Sequence, residues 1–569
     1  MLNLVFLLLC VFNAEAFVTI VAFTSFWAIL AISRYKLRGV RNNCPDAVNE
    51  ERTMPLVSVV MPIKGFNPEK LNFWRAQTST SYQNVEFVFV TESKNDPATE
   101  HIEDFLREFY ANRSPSDSRH IECKQVISGL SWHNAQKIHN MIAGTQASNP
   151  DSRYTLFLDD DLGTNPNTIE ILVRAIEEGM ANPDDEDEKP KNWISTGYIV
   201  EVPPPETKST LMSHFLSLYR IINLSSFANK YCPFAWGGCF MIRTADLRAN
   251  RHGILDIWRD GGYSDDMAVS NIAHQTGKRI VADPRVLFRG DLRVVEPVKK
   301  TFNFVQRQFV TLDTYFTRAD WLQNRLQVTL AALALPVILI PTLSVIAQLA
   351  SIGPWAVWSL YQYVSDRTPP SPYLALDALM LTLILIAAYL AIVVNKWTLT
   401  VLVDVVAGQQ GKERGEPFMF KKWGFVAGAI IYMVAAPTFA VSTVAKRTVD
   451  WYGVLYSKQG GRIVRCARHP DDMRRLGELA DDEELHPFAQ HAEDARTEPR
   501  AEMAGRTYVV EPETRKNRGW LSRDREASLA AAVKDNSELG GQKTCVLMLN
   551  PTTDGVRARV TEVRQVDQI

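Results

Sequence analysis

Apolar and polar positions alternate in blocks along the first third of the chain. Short runs rich in Val, Ile and Phe have the length of buried parallel strands, and amphipathic segments of helix length separate them. Strands are predicted at 56–65, 85–92, 121–127 and 154–158, and helices at 99–110 and 134–144. Strands and helices that alternate in this way predict a doubly wound α/β sheet with helices on both faces.

Longer apolar runs flank this region. Residues 17–33 are long enough, with part of the apolar run before them, to cross a bilayer, and four basic residues follow them. This pattern predicts an uncleaved anchor with the next domain on the cytosolic side. Further apolar segments lie at 328–364, 373–395 and 424–444. Their loop charges leave two topologies open, because either the proline-containing first segment crosses twice or one span is only interfacial.

Composition narrows the classes of partner. The 569 residues carry a net charge of -2 and are 46% apolar, so bulk charge gives no reason to expect nucleic acid as a partner. The seven cysteines lie far apart, without the spacing of a disulfide framework or a zinc site. Reduced thiols fit a cytosolic domain.

These patterns divide the chain into six parts. The predicted parts are a membrane anchor (1–33), a basic and polar linker (34–54), a cytosolic catalytic domain (55–327), C-terminal transmembrane or interfacial helices (328–445), a juxtamembrane segment (446–466) and a charged, largely disordered tail (467–569).

The strand at 154–158 runs directly into three carboxylates, Asp159, Asp160 and Asp161. Carboxylates crowded at the carboxyl end of a strand repel one another unless a cation lies between them, and open α/β sheets bind ligands at that edge. The simplest candidate is Mg²⁺ or Mn²⁺ held together with the oxygens of a diphosphate. The alternative is a solvated turn in which an aspartate caps a helix.

Other polar groups occupy comparable positions. Lys137 and Asn140 are three residues apart, so a helix would present both on one face to a nucleotide, although a solvated helix face explains them equally well. Gly237 and Gly238 precede a predicted strand, where backbone can approach a ligand closely. Residues 207–227 carry an apolar stripe at helical spacing, typical of core packing or, alternatively, of a lipid-facing edge of the site.

A second acidic pair, Asp265 and Asp266, opens a predicted helix. Acids at a helix start are favourable capping residues, and they are equally well placed to supply a general base. Arg307, between two glutamines, offers a fixed cation suited to a diphosphate leaving group.

The order of these motifs resembles family 2 glycosyltransferases, and within them the ceramide glucosyltransferases. The resemblance extends over about residues 1–465, and the stretch Val449–Gly461 is its most specific part. It implies a GT-A (Rossmann-like) glycosyltransferase domain between an N-terminal transmembrane helix and a C-terminal transmembrane helix cluster. It also implies a multi-pass protein of the Golgi or endoplasmic reticulum membrane that transfers glucose from UDP-glucose to ceramide with inversion.

The resemblance assigns roles to residues of this sequence. Asp266 would act as the base, with Asp265 beside it and Arg307 as the leaving-group cation, and Asp159 and Asp161 would hold the metal. The implied UDP-sugar contacts are Lys64, Glu92, Asp96, Lys137, Asn140, Asp159, Gly237 and Gly238.

One motif departs from the family pattern. The family ends its catalytic set with (Q/R)xxRW, whereas Val310 and Thr311 stand here where Arg and Trp are expected, so Arg307 or Arg318 would have to supply the cation. Two other classes of function stay open. A processive polysaccharide synthase would share the sheet and the acids, and a non-enzymatic membrane scaffold would share the apolar spans. The oligomeric state is not predicted.

Overall fold

The structure is a computed structural model. It describes residues 54–178 except 115, 191–202, 210–227, 230–291, 298–367, 378–390, 422–468, 544–552 and 555–563, together with single residues among 8–21, 376–397 and 472–476.

A ten-stranded mixed sheet forms the centre of the described chain, with strand order β13-β12-β3-β2-β1-β4-β7-β5-β8-β6. Its strands are β1 (Val57–Pro62), β2 (Asn84–Thr91), β3 (His120–Ile127), β4 (Tyr154–Leu158), β5 (Asn192–Val202), β6 (Tyr231–Cys232), β7 (Cys239–Arg243), β8 (Arg279–Asp291), β12 (Thr544–Thr552) and β13 (Gly555–Val563). A separate three-stranded antiparallel sheet, which we call the C-terminal sheet, consists of β9 (Thr448–Trp451), β10 (Val454–Gln459) and β11 (Arg462–Arg468).

Helices connect and cover these strands. They are α1 (Lys70–Thr78), α2 (Pro97–Ala111), α3 (Gln136–Ala147), α4 (Thr168–Glu177), α5 (Leu211–Leu224), α6 (Thr244–Arg248), α7 (Ile254–Arg259), α8 (Asp265–Gln275), α9 (Val298–Val310), α10 (Arg318–Asp366) and α11 (Lys422–Ala445).

The hydrophobic core has two layers, one on each face of the sheet. Val59 and Met61 of β1 belong to the layer covered by α1, α2 and α4, whereas Val60 belongs to the layer covered by α3, α7 and α8. Neighbouring side chains of a strand point to opposite faces, so a strand buried on both faces needs an unbroken apolar run. The predicted α/β architecture with helices on both faces is therefore confirmed.

The sheet is not parallel throughout. Strands β1 to β4 pair in parallel, but β7 runs antiparallel to both β4 and β5. The predicted doubly wound arrangement rests on the alternation up to β4, and the antiparallel strand β7 lies beyond that stretch. No short apolar strand reveals its direction, because direction depends on the route by which the chain enters the sheet.

Helix α10 begins at Arg318, before the predicted domain boundary at 328, and continues through all three prolines of the predicted membrane segment. Within the described ranges, no helix combines the length and apolar composition needed to cross a membrane. The predicted anchor at 17–33 lies mostly outside the described residues, and the C-terminal spans are not confirmed.

Part of the charged tail forms structure at the sheet edge. Strands β12 and β13 form an antiparallel hairpin, and Cys545 to Leu547 of β12 pair with β3. Most of residues 469–543 lies outside the described chain, so the prediction of a largely disordered tail stays a prediction.

Candidate active site

The three acids that follow β4 lie in different environments. Asp159 is half-buried and Asp160 is buried, with its Oδ2 2.7 Å from the Nζ of Lys70, whereas Asp161 reaches solvent. Desolvation raises the pKa of Asp161 to about 7, and repulsion from Asp160 and Asp159 adds to the shift. Lysines pair with Asp160 and Asp159, whereas no described ion pair involves Asp161, which leaves Asp161 to a further cation.

Lys137, in the first turn of α3, joins two distant acidic segments. Its Nζ lies 2.8 Å from Oδ1 of Asp159 and 3.3 Å from Oδ2 of Asp265, and it donates a 2.9 Å hydrogen bond to the carbonyl of Gly237. Burial by itself would lower the pKa of Lys137, but the carboxylates of Asp159 and Asp265 outweigh it and raise the pKa. The ammonium therefore stays charged at neutral pH, as a phosphate contact requires.

Asp265 and Asp266 begin α8 behind the capping residue Ser264, whose hydroxyl accepts from the Met267 amide. Asp265 is buried, and burial raises its pKa to about 7, although Lys137 lowers it. Asp266 is half-buried and accepts a 3.0 Å hydrogen bond from the amide of Gly237. The two acids therefore lie at a capped helix start and, at the same time, close to the other charged groups of the site.

The two neighbouring acids have different partners. Asp265 contacts Lys137 directly, whereas the charge of Asp266 acts both on Lys137 and on Tyr219 of α5. Burial raises the pKa of Tyr219 to about 12, and the carboxylates of Glu201 and Asp266 also raise it. Tyr219 belongs to an apolar cluster formed by α5, α9 and α11.

The glycine pair before β7 forms one wall of the site. A Cβ on Gly237 would lie 3.0 Å from Oδ1 of Asp265 and 3.1 Å from Oδ2 of Asp266, and one on Gly238 would overlap the ring of Trp236. The amide of Asp159 also donates to the carbonyl of Gly238. The backbone of Gly237 and Gly238 therefore lies close to the acids of the site and holds them in place.

The predicted nucleotide contacts gather at the carboxyl ends of β1 and β2. Glu92 is buried, with its Oε1 2.9 Å from the Nζ of Lys64. Asp96 caps α2 and accepts from the amide of Gly65, whose φ is 62°. Burial raises the pKa of Asp96. Asn140, also buried, donates to the carbonyl of Val90.

These contacts give the four residues structural partners. No described contact tests whether a nucleotide also binds them, so the predicted roles of Lys64, Glu92, Asp96 and Asn140 stay predictions.

Arg307 lies on α9, with its guanidinium 5.3 Å from the centroid of the Trp451 ring and 5.7 Å from that of Phe304. Burial lowers its pKa. Val310, where the family motif has arginine, is 1% exposed within the main core cluster, an environment unsuited to an ionised side chain. The packing of α9 thus explains the missing arginine, and the role of Arg307 as leaving-group cation stays a prediction.

Three features of the site carry no local sequence signal that singles them out. Lys70 neutralises Asp160, and an ion pair of Glu201 with Arg220, 2.9 Å apart, lies within electrostatic reach of Asp161. Arg468 of β11, in the C-terminal part of the chain, forms an ion pair with Glu92. The sequence shows Lys70 soon after β1 and Arg220 within an apolar helix, but neither position by itself predicts these contacts.

The apolar stripe of α5 is mainly core. Phe215 is fully buried, and Met212, Leu218 and Tyr219 are nearly so, whereas Leu211 is 41% exposed. The core-packing interpretation of residues 207–227 therefore holds for these four positions.

The residues present fit a divalent cation of the kind that magnesium sites in phosphate chemistry use. Among the described residues, no cluster of three or more His, Cys, Asp or Glu side chains forms a cage for a metal. Mg²⁺ usually needs only one or two carboxylates in addition to substrate phosphates and water. Asp159 and Asp161 supply two such carboxylates, and a cation would relieve the repulsion among the three neighbouring acids that contributes to the raised pKa of Asp161.

One family model is similar to the first part of the chain. Residues 18–182 match the sequence model described as Glycosyl transferase family 21. The match is to family 21 rather than the expected family 2, and ceramide glucosyltransferases belong to family 21. The matched stretch includes Lys64, Lys137 and Asp159 but ends before the second acidic pair. It supports a glycosyltransferase.

No curated protein matches the sequence. Among solved structures, the mannosyltransferase PcManGT from Pyrobaculum calidifontis in complex with GDP-Man and Mn2+ is 13% identical, with a TM-score of 0.36 over 66% of this chain and 98% of that chain. Glucosyl-3-phosphoglycerate synthase from M. tuberculosis is 11% identical, with a TM-score of 0.25 over 45% of this chain and 80% of that chain. Likeness at this level says nothing about the substrate of this chain.

Proposed function

We propose that this chain is a membrane-associated inverting glycosyltransferase that transfers glucose from UDP-glucose to the primary hydroxyl of ceramide. The observation that carries the proposal is the bridge of Lys137 between Asp159 and Asp265. It joins the acid that follows β4 to the acid that begins α8, so one half-buried ammonium connects the donor-side carboxylate to the start of the helix that carries Asp266. The family match over 18–182 supports the transferase class.

The donor side lies at the carboxyl ends of β1, β2 and β4, where open α/β sheets bind nucleotides. Lys137 is placed to contact the diphosphate. Gly237 has no side chain, so a sugar can approach its backbone closely. Asp159 and Asp161 would hold a divalent cation, which when bound neutralises charge on the departing diphosphate.

The acceptor side is apolar, as a lipid acceptor requires. A buried apolar cluster lies where α5, α9 and α11 meet, and the Asp266 charge acts on Tyr219 within it. Half-buried apolar side chains pack against this cluster and supply the surface: Leu216, Phe302, Phe304, Phe309, Ile431 and Tyr432. An apolar surface next to a carboxylate suits an acceptor that has hydrocarbon chains and a single reacting hydroxyl.

Association with a membrane is part of the proposal. Helix α10 exposes many large apolar side chains, more than an isolated surface helix in water usually does. Examples are Leu322, Leu326, Leu330, Val357, Leu360 and Val364. We propose that this surface contacts lipid of a Golgi or endoplasmic reticulum membrane, with the catalytic domain facing the cytosol.

The reaction is a single in-line displacement. Asp266 accepts the proton of the acceptor hydroxyl as the oxygen bonds to C1 of glucose, and the bond from C1 to the phosphate oxygen breaks with inversion. Lys137 stabilises the negative charge that collects on the leaving diphosphate. Asp265 is tied to Lys137 and orients it, so the neighbouring acids have separate tasks.

Labelled UDP-glucose incubated with membranes that contain the protein tests the proposal. With ceramide added, we expect label in a lipid product and none in polymer. Label in a long polymer without added lipid would favour a processive polysaccharide synthase. Absence of any transfer, with the protein folded and present, would favour a non-enzymatic scaffold.

Removal of the cation is expected to stop transfer. Asp161→Asn should raise the Mn²⁺ concentration for half-maximal activity at least about tenfold, because one of two carboxylate ligands is lost. The same loss should reduce the rise in Tm that Mn²⁺ gives in the presence of UDP. Asp151→Asn, at an exposed site, is the matched control.

The pKa of about 7 gives this site a pH dependence. Below pH 7 the Asp161 carboxyl is protonated, so Mn²⁺ binding should weaken as the pH falls from 8 to 6. In cation-free protein the sign for stability is opposite. The folded state binds this proton more tightly than the unfolded chain, so stability falls as the pH rises towards 7. Full activity in excess chelator would contradict the proposed requirement for a divalent cation.

Most of the charged tail is expected to be dispensable. Deletion of residues 480–569 removes the β12–β13 hairpin, which lies at the sheet edge, and should leave kcat and the donor KM close to wild type. Deletion of 470–569 also removes Met473 and Leu476, which are buried against Leu130, and should raise the donor KM. Equal loss of activity in both truncations, with both folded, would show that the hairpin itself supports the site.

A further inference from the structure

The C-terminal sheet reaches the donor side of the site through one buried arginine. Arg468, in β11, is 6% exposed, and its Nη2 lies 3.3 Å from Oε2 of Glu92. The Glu92 carboxylate is thus held between two cations, Lys64 from the loop after β1 and Arg468 from β11. The sequence separation between Glu92 and Arg468 is 376 residues.

The same guanidinium also holds the loop that leads into α3. Its Nη2 donates to Oε1 of Gln136, and its Nη1 donates a 2.9 Å hydrogen bond to the carbonyl of Ser131. The Gln136 side chain in turn donates to Asn140, at 2.8 Å, and to the carbonyl of Gly129. Gln136 immediately precedes Lys137, so this network fixes the start of the helix that carries the central cation of the site.

The rest of the C-terminal sheet binds the same loop. The amide of Cys466 donates to the carbonyl of Trp132 at 3.0 Å, and the amide of Gln136 donates to the hydroxyl of Tyr456 at 3.2 Å. At the other end of β11, the amide of Ile463 donates to the carbonyl of Gly261, three residues before Ser264. One small sheet therefore contacts both the α3 start and the segment that leads into α8.

The chain beyond β11 continues along the donor side. Met473 and Leu476 are buried together with Leu130, and the hydroxyl of Ser93, which follows Glu92, donates to the carbonyl of Leu476. Both sides of Glu92 are thus covered by residues from the C-terminal part of the chain.

We propose that Arg468 is a positioning residue for donor binding: it holds Glu92 and the 129–136 loop in the arrangement that presents Lys137 to the diphosphate. A planar guanidinium suits this task because it donates to a carboxylate, an amide oxygen and a carbonyl in fixed directions at once, which an ammonium cannot match. The proposal deepens the proposed function, on which it rests, and adds a donor-site component from outside the family match.

Full-length variants test this role. Arg468→Gln removes the charge and the fork, and we expect the Kd for UDP and the KM for UDP-glucose to rise at least about tenfold, with kcat changed less than about threefold. Arg468→Lys keeps the charge and should show a smaller rise in the same direction. Arg465→Gln, an exposed position of the same strand, is the matched control and should leave both constants unchanged.

The readouts separate positioning from stability. If Arg468 only stabilised the fold, Arg468→Gln would lower Tm while the folded protein kept its UDP affinity, and that result would overturn the proposal. If Arg468→Gln does not fold, Arg468→Lys decides, because an unchanged UDP Kd in that folded variant also overturns it. Failure of the proposed function is distinct, since wild-type protein would then transfer no glucose.

Discussion

Asp266→Asn is expected to reduce glucosyl transfer by at least about 10²-fold while UDP-glucose binding stays near wild type. A primary alcohol is a poor nucleophile at neutral pH, so transfer requires a base at the acceptor oxygen. The amide keeps the shape of the side chain and can still accept from the Gly237 amide, so the wall of the site is retained. The NH2 group cannot accept from the Met267 amide as Oδ1 does, so that hydrogen bond is lost together with the basicity. The loss of the base should lower kcat.

The comparison with Asp265→Asn decides between the two acids. Asp265 contacts Lys137, so its loss should disturb donor binding and raise the KM for UDP-glucose. Asp256→Asn, at an exposed position on α7, is the control for the substitution itself. If Asp266→Asn transfers near the wild-type rate, or if Asp265→Asn lowers kcat more, the base has been assigned to the wrong residue.

Lys137→Met is expected to lower kcat/KM by at least about 10²-fold, the effect typical of losing one preorganised group that stabilises developing charge. Methionine keeps much of the apolar stem, so the change removes mainly the ammonium. Asp159 and the buried Asp265 then lose the cation between them. Steady-state kinetics and calorimetric UDP binding measure the loss.

The stability of this variant should depend on pH in a defined direction. Lys137 lowers the pKa of Asp265, so its removal raises that pKa further above 7. A buried carboxyl with a raised pKa costs stability only when ionised, so the Tm deficit of Lys137→Met relative to wild type should be larger at pH 8.5 than at pH 6. Lys299→Met, at an exposed site, is the control. A pH-independent deficit would contradict the described contact between Lys137 and Asp265.

Burial patterns made several local elements predictable. Apolar runs that end in acid or glycine gave β1, β2 and β4 close to their observed bounds, because a strand buried on both faces has no other composition available. The second acidic pair was expected at a helix start, and α8 begins at Asp265. These features depend on the residues of a single strand or helix, which are neighbours in the sequence.

The partners of the polar groups were not predictable in the same way. Lys137 and Asn140 share a helix, yet Lys137 faces the acids whereas Asn140 is buried against the carbonyl of Val90. The spacing of two residues on a helix does not define what stands opposite each of them. The groups opposite each residue are set by where the helix lies along the sheet edge, which depends on strand order.

The sequence by itself determined which segments form strands and helices and where carboxylates meet the carboxyl ends of strands, because these follow from short-range burial periodicity. The tertiary structure alone decided that β7 is antiparallel, that Lys137 joins Asp159 to Asp265, and that Arg468 supports Glu92. Those contacts connect residues far apart in the chain. The charged groups meet only after the sheet and the C-terminal strands have assembled, and their attraction offsets the cost of removing them from water only in that geometry, which no local pattern encodes.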